Sequence, residues 1–228
     1  MKVGILFSSG KDSCLALEFA KKEYEVVCLM NMKSKNQESY MFHTVNSDIS
    51  KLQSKALEIP LLIGKTNGEK EEELKDLEKL IKKAKEKYKI EGVVSGALYS
   101  SYQKERVENI CNKLNLISIN PLWHFGEEKE LNEVIKRDYE AIIVSVSAEG
   151  LNKEFLGKKI DQNIVNKFKK LKINICGEGG EYETLVLDCP MFFYKINILS
   201  FEIIMEANDC GKLFIKNATL VKKKNLNR

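Results

Sequence analysis

The sequence predicts an α/β protein, built as a doubly wound, mostly parallel sheet of Rossmann-like type with a smaller C-terminal α+β portion. Three observations carry this prediction. Short β-rich runs alternate with helical stretches over the first two-thirds of the 228 residues. The first run is followed at once by a polar, glycine-containing loop and a second apolar run. After Leu187 the pattern changes to strand-like segments with no obvious helix between them. Strand and helix alternating at this spacing is what right-handed crossovers between parallel strands require.

The β-rich runs are residues 3–7, 25–30, 60–63, 92–96, 116–119 and 141–146. Between the third and fourth, Leu74, Leu77, Ile81, Ala84 and Tyr88 recur at steps of three and four and mark one apolar helical stripe. Glu71, Glu72 and Glu73 open that helix and Lys82, Lys83, Lys85 and Lys87 close it, in the sense the helix dipole favours. This charge run reads as a solvated face. The late strand-like segments are 194–199, 201–205 and 212–221, and the boundary between the two portions is expected near Asn120 and Pro121, giving 1–120 and 121–228.

Hydrophobic residues at 43% and only 3 prolines describe a chain that buries a core and is not disordered. No run approaches the roughly 18 apolar residues of a membrane span. The N-terminus moves straight into a strand-like segment without a targeting pattern, so a cytoplasmic protein without a membrane partner is expected. A net charge of +4 is too mild to imply nucleic acid, which stays open without being favoured. Cys14, Cys28, Cys111, Cys176, Cys189 and Cys210 contain no C-x-x-C pair, which argues against a zinc ribbon or a thioredoxin-type site and reads as small buried hydrophobes.

The loop after the first run, "SSGKDS" (residues 8–13), lies between a parallel strand and a helix, where α/β proteins offer unpaired N–H groups to an anion. It lacks the second glycine of G-x-x-x-x-G-K-[ST] and the three of G-x-G-x-x-G. It resembles instead the S-G-G-x-D-S loop of the PP-loop ATP pyrophosphatases, which cut ATP between the α and β phosphates. The resemblance implies that the hydroxyls of Ser8 and Ser13, the backbone around Ser9 and Gly10, and the Lys11 cation cradle a pyrophosphate, with Asp12 fixing the loop or holding Mg²⁺. Ser9 departs from the pattern, where a glycine is expected, and its side chain must then point away from the phosphates.

Three more stretches narrow the reading. "MFHTVNSD" (41–48) follows the second run, and its His43 is a candidate contact to ATP phosphate or to an adenylated intermediate. "GVVSGALYSSYQKERVENIC" (92–111) is a strand, a loop with Gly96, and a helix whose first turns carry Tyr102, Gln103, Lys104 and Arg106 beside the nucleotide edge; Arg106 or Lys104 is suited to neutralising charge on pyrophosphate, against the alternative of a solvated helix face. "CGEGGEYETLVLDCP" (176–190) sets Gly179 and Gly180 among Glu178, Glu181 and Glu183, with Tyr182 between the last two, which suggests recognition of a cation, of Mg²⁺ or of an attacking amine.

Together with "SAEGLNKEFLGKKID" (147–161), these motifs resemble the archaeal and eukaryotic diphthine–ammonia ligases, the amidating enzymes of diphthamide synthesis, over roughly residues 1–192. A minor departure is Asn115, at a helix end where glycine is expected; asparagine tolerates the left-handed cap. The resemblance implies an N-terminal ATP-binding domain and a C-terminal substrate-recognition domain. It also implies adenylation of the carboxylate of diphthine, a modified histidine on translation elongation factor 2, followed by displacement of AMP by ammonium. Lys11, Asp12 and Glu183 are then the expected catalytic residues, with Tyr102, Gln103, Glu178, Gly179, Gly180, Glu181 and Tyr182 on the substrate. ATP and Mg²⁺ are the expected cofactors, and a homodimer is compatible with the sequence. Diphthine carries a trimethylammonium group, held by carboxylate fields and aromatic faces, for which Glu181, Glu183, Tyr182 and Trp123 are the expected receptor. A tRNA-modifying PP-loop enzyme is the first alternative, weakened by the missing paired cysteines, and a non-catalytic nucleotide sensor the second.

Overall fold

The computed structural model describes residues 1–34, 46–69 and 72–223. The chain divides into two compact units, Met1–Ser8 with Asp12–His124, and Ser9–Lys11 with Phe125–Arg228.

The first unit holds β1 (Lys2–Leu6), α1 (Lys11–Ala20), β2 (Glu25–Ser34), α2 (Ser50–Leu57), β3 (Leu61–Thr66), α3 (Glu72–Tyr88), β4 (Gly92–Val94), α4 (Ser101–Lys113) and β5 (Ile117–Ile119). Its five strands run in the order β3-β2-β1-β4-β5, and every neighbouring pair is parallel. The chain winds outward from β1 to β3, then crosses back to β4, so the winding direction reverses between β1 and β4. That reversal opens a crevice at the C-terminal ends of these two strands, the position where open α/β sheets take ligands. One face of the sheet packs Cys28, Met30, Met32, Leu62 and Val93 against Leu77, Leu80 and Ile81 of α3 and Val107, Ile110 and Cys111 of α4. Glu73 is an exception to the solvated reading of the α3 charge run: it is 1% exposed. It precedes the buried Leu77 by four residues, so the helix itself turns it inward.

The second unit holds α5 (Glu127–Lys136), β6 (Glu140–Ser147), α6 (Gln162–Phe168), β7 (Tyr182–Asp188), β8 (Tyr194–Ala207) and β9 (Cys210–Lys222). Its four strands form an antiparallel sheet in the order β7-β6-β9-β8. Phe168 of α6 lies 4.8 Å from Tyr182 of β7 and 5.8 Å from Phe155, an aromatic core under that sheet.

Two sequence expectations are corrected here. The run at 141–146 belongs to this antiparallel sheet and not to the parallel one, because β6 pairs with β7 and β9, both later in the chain. The segments 194–199 and 201–205 are one strand, β8, whose register to β9 shifts on either side of Ser200. A polar residue at an irregularity breaks the apolar pattern without ending the strand.

Five cysteines are buried and Cys210 is half-buried. Burial pushes the Cys28 and Cys189 thiols up to about 12 and the Cys111 thiol up to about 11. No helix among the described residues is long and apolar enough to cross a membrane.

Candidate active site

In the first unit, β1 ends at Leu6 and α1 begins at Lys11, so residues 8–13 form the turn and the first helical turn after the central strand. The Ser8 hydroxyl donates to Ser13 Oγ at 3.1 Å, tying the two ends of the loop together. Asp12 sits in the first turn of α1, where the helix N-terminus favours negative charge. Gly96, just past β4, faces that turn so closely that a Cβ there would stand 2.9 Å from the Asp12 carbonyl carbon and 3.0 Å from Ser13 N. Only glycine lets β4's exit come this near to the start of α1.

Ser9 adopts φ +80°, the left-handed conformation for which a glycine is expected at this place in the motif. The backbone the loop requires is thus kept without the glycine. Ser9 is 2% exposed, and its carbonyl accepts the Val186 N–H at 3.0 Å, a contact inside the second unit. Lys11 N donates to Thr184 Oγ1 of β7 at 3.1 Å. The Lys11 ammonium, expected on a phosphate, lies 3.4 Å from Glu130 Oε2 with both side chains buried, and 6.0 Å from the Tyr182 ring centroid. Cys176 Sγ lies 3.3 Å from the same Glu130 oxygen and 3.1 Å from the Glu127 carbonyl. A buried lysine is tolerable because a buried carboxylate answers it.

The acidic glycine segment, also in the second unit, is held largely by itself. Glu181 accepts the Asn174 N–H at 3.0 Å and the Gly179 N–H at 2.9 Å. Gly177 has φ +78°, and a Cβ there would stand 2.8 Å from the Tyr182 carbonyl oxygen. Tyr182 is 3% exposed, donates its hydroxyl to the Ile175 carbonyl and has its ring against Phe168. The Glu178 N–H donates to Asn174 Oδ1, and Gly180 has open space around it at φ +85°. Glu183 is half-buried in β7 opposite Ser145 of β6. The sequence reading sends Glu181 and Tyr182 to the substrate; in the structure Glu181 bonds to backbone N–H groups of its own segment and the Tyr182 ring is buried against Phe168.

Back in the first unit, Ser100 caps α4 by accepting the Gln103 N–H. The Arg106 guanidinium carbon lies over the Tyr102 ring, 3.3 Å from its centroid, and Nη1 donates to the Tyr102 carbonyl. Its Nε is buried without a hydrogen bond to any described residue. At the end of α4, Asn115 has φ +49°, and the Leu116 N–H reaches the Cys111 carbonyl as a left-handed cap does. Tyr99 and Trp123 flank His124, at 5.5 Å and 4.7 Å between ring centroids. His43 lies outside the described residues.

Sequence reasoning did not bring out Glu130 and Thr184, which meet Lys11 in the structure. For Glu130 a signal exists: it precedes Val134 by four on α5, beside Leu131, and so falls on the apolar stripe where a carboxylate needs a partner. Among the described residues no three His, Cys, Asp or Glu side chains gather to hold a metal. Mg²⁺ is commonly held by one or two carboxylates together with substrate phosphates, so a site for it need not show such a cluster.

Comparison with known proteins bears on the whole chain. Residues 1–118 match the diphthamide synthase N-terminal domain and residues 126–221 the diphthamide synthase C-terminal domain. Proteins named diphthine–ammonia ligase from Bos taurus and Homo sapiens are each 37% identical over 232 residues, covering 92% of this chain and 87% of theirs. A Schizosaccharomyces pombe protein of the same name is 35% identical, over 98% of this chain and 40% of its own length. Among solved structures, a predicted subunit of a tRNA methyltransferase from Methanocaldococcus jannaschii DSM is a loose match, at TM-score 0.44 and 17% identity over 83% of this chain and 98% of that one. With both domain types matched in chain order and more than a third of residues identical across nine-tenths of the chain, this protein belongs to the diphthamide synthase family.

Proposed function

We infer that the chain is an ATP-dependent ligase that amidates the carboxylate of diphthine on translation elongation factor 2 with ammonium. The observation that carries this reading is the match to diphthine–ammonia ligases over 92% of the chain; the matched family domains, residues 1–118 and 126–221, include the loop at 8–13 and the acidic glycine segment. The strand–loop–helix at β1 and the close approach of Gly96 support a nucleotide at the C-terminal edge of the parallel sheet.

In the first step a diphthine carboxylate oxygen bonds to the α-phosphorus of ATP, the α–β P–O bond breaks, and pyrophosphate leaves. In the second, the ammonia nitrogen bonds to the acyl carbon, loses a proton, and the acyl C–O bond to AMP breaks. Ser8, Ser9, Gly10 and Ser13 surround the phosphates in this reading. Arg106, whose Nε has no hydrogen bond to the described residues, offers a donor to the departing charge. Lys11 would meet phosphate by exchanging the Glu130 carboxylate for phosphate oxygens. Asp12 would hold Mg²⁺, which when bound spreads the charge of the phosphates. Glu183 and Glu178, with Gly179, Gly180, Glu181, Tyr102 and Gln103, are proposed on the substrate side, and His43 on ATP.

Incubation with ATP, Mg²⁺, ammonium and diphthine-bearing elongation factor 2 is expected to give AMP and pyrophosphate in equal amounts with the amide. Asp12→Ala should abolish both products, and Glu183→Gln should slow turnover of the modified factor. Nucleotide binding without AMP would make the protein a sensor, and near-normal turnover by Asp12→Ala would remove the loop from the chemistry.

A further inference from the structure

Lys11 is held at two places of different stiffness. Its backbone N–H is fixed to Thr184 Oγ1 at 3.1 Å, whereas its ammonium, on a flexible four-carbon stem, meets Glu130 Oε2 at 3.4 Å. The stem can swing while the main chain of the loop keeps its place. Glu130 has less freedom. It lies in the first turns of α5, and its Oε2 is also 3.3 Å from the Cys176 thiol, which is shared with the Glu127 carbonyl at 3.1 Å. Asn174 sets that thiol in turn: its Oδ1 accepts the Cys176 N–H at 2.9 Å and its Nδ2 donates to Glu127 Oε1 at 2.9 Å. Of the two charges, the carboxylate is the fixed one and the ammonium the one that travels.

Fold stability does not account for the pair. Both side chains are at most 1% exposed, and a buried ion pair commonly holds a fold together no better than two apolar side chains of similar size. A cation sent to a phosphate needs, by contrast, a place to return to. Pyrophosphate is a polyanion leaving a loop suited to hold it, and departure of a product limits turnover in many enzymes. A carboxylate on the same chain competes for the ammonium at a high effective concentration and does not diffuse away.

We propose that Glu130 is a positioning residue for product release: it recaptures the Lys11 ammonium once the α–β bond of ATP has broken, and so loosens pyrophosphate from the loop at 8–13. In this role Glu130 acts through Lys11 and needs no contact with phosphate. The proposal rests on the ligase reading for its leaving group and adds to it a resident competitor for the lysine.

The test measures inorganic pyrophosphate on the full chain, by equilibrium dialysis and as an inhibitor of AMP formation. Glu130→Gln keeps the size of the side chain and an acceptor oxygen but removes the charge, so pyrophosphate is expected to bind about tenfold more tightly while kcat falls. AMP, which lacks the β and γ phosphates, should bind equally to both proteins. Glu130→Asp keeps the charge and should return pyrophosphate affinity most of the way to the wild-type value. Cys176→Ala takes one donor from the Glu130 oxygen, tightens its hold on Lys11, and should weaken pyrophosphate binding about threefold. Far-UV circular dichroism checks folding, and because damage to a fold lowers affinity, a gain separates this role from a structural one. Unchanged or weakened pyrophosphate binding in Glu130→Gln overturns the proposal. Should that variant not fold, unchanged or tightened binding in Cys176→Ala overturns it instead. Either result in a chain whose wild type makes AMP spares the ligase reading. A wild-type chain that makes no AMP overturns the ligase reading, and the dialysis then judges the competition for Lys11 by itself.

Discussion

Lys11 and Glu130 form an ion pair with both side chains at 1% exposure or less, so neither charge has water to fall back on. Removing one partner strands the other. Glu130→Leu is expected to lower unfolding stability by about 3–5 kcal/mol in urea titration. The paired change Lys11→Met with Glu130→Leu should recover most of that loss, because two apolar side chains of similar size need no desolvation offset. Recovery of stability without recovery of AMP formation would separate the lysine's role in chemistry from its role in the fold. The thiols carry a second expectation at this scale. Burial raises Cys28, Cys111 and Cys189, so the folded chain keeps these protons where an unfolded thiol, near 9, releases them. The stability they contribute is full below about pH 9 and is lost as pH rises towards about 12. At pH 8 a disulfide reagent should find one fast thiol in the native chain, Cys210, and all six after unfolding.

Among elements, the exit of β4 is the sensitive one. Adding a methyl group at Gly96 sets it 2.9–3.0 Å from the backbone of Asp12 and Ser13, inside the distance real carbons keep, and backbone cannot step aside as a side-chain tip can. Gly96→Ala is therefore expected to fold with its circular dichroism unchanged while ATP affinity falls at least tenfold, measured by nucleotide titration. Wild-type affinity in that variant would show that the first turn of α1 tolerates displacement. How far the sequence revealed each element depended on where its information lay. Asn115 announced its left-handed cap, because helix ends are written in a few adjacent residues. The apolar stripe of α3 likewise needed only its own spacing. By contrast β8 read as two strands because the interruption at Ser200 is resolved only by its partner Asn217.

At the scale of the molecule, the five parallel strands were legible because each is a short apolar run framed by helices, and a crossover leaves that trace locally. The sheet to which β6 belongs was not, since its neighbours β7 and β9 come after it and antiparallel pairing leaves no mark in the strand itself. The chemistry proposed for the loop at 8–13 comes from its residue types. Its structural partners did not announce theirs: Glu130 and Thr184 stand far along the chain, and nothing near Lys11 in sequence points to either.

The hydrogen bond from Lys11 to Thr184 spans 173 positions. A ribosome adding about 5–20 residues per second takes on the order of 10–30 seconds to cover that distance. For that interval the loop at 8–13 exists as residues but lacks the hydroxyl that receives its first helical N–H, and the carbonyl of Ser9 still awaits Val186. A loop made long before Thr184 is thus finished only after it, and a chain cut short before Thr184 carries the loop's letters without two of the bonds that hold it.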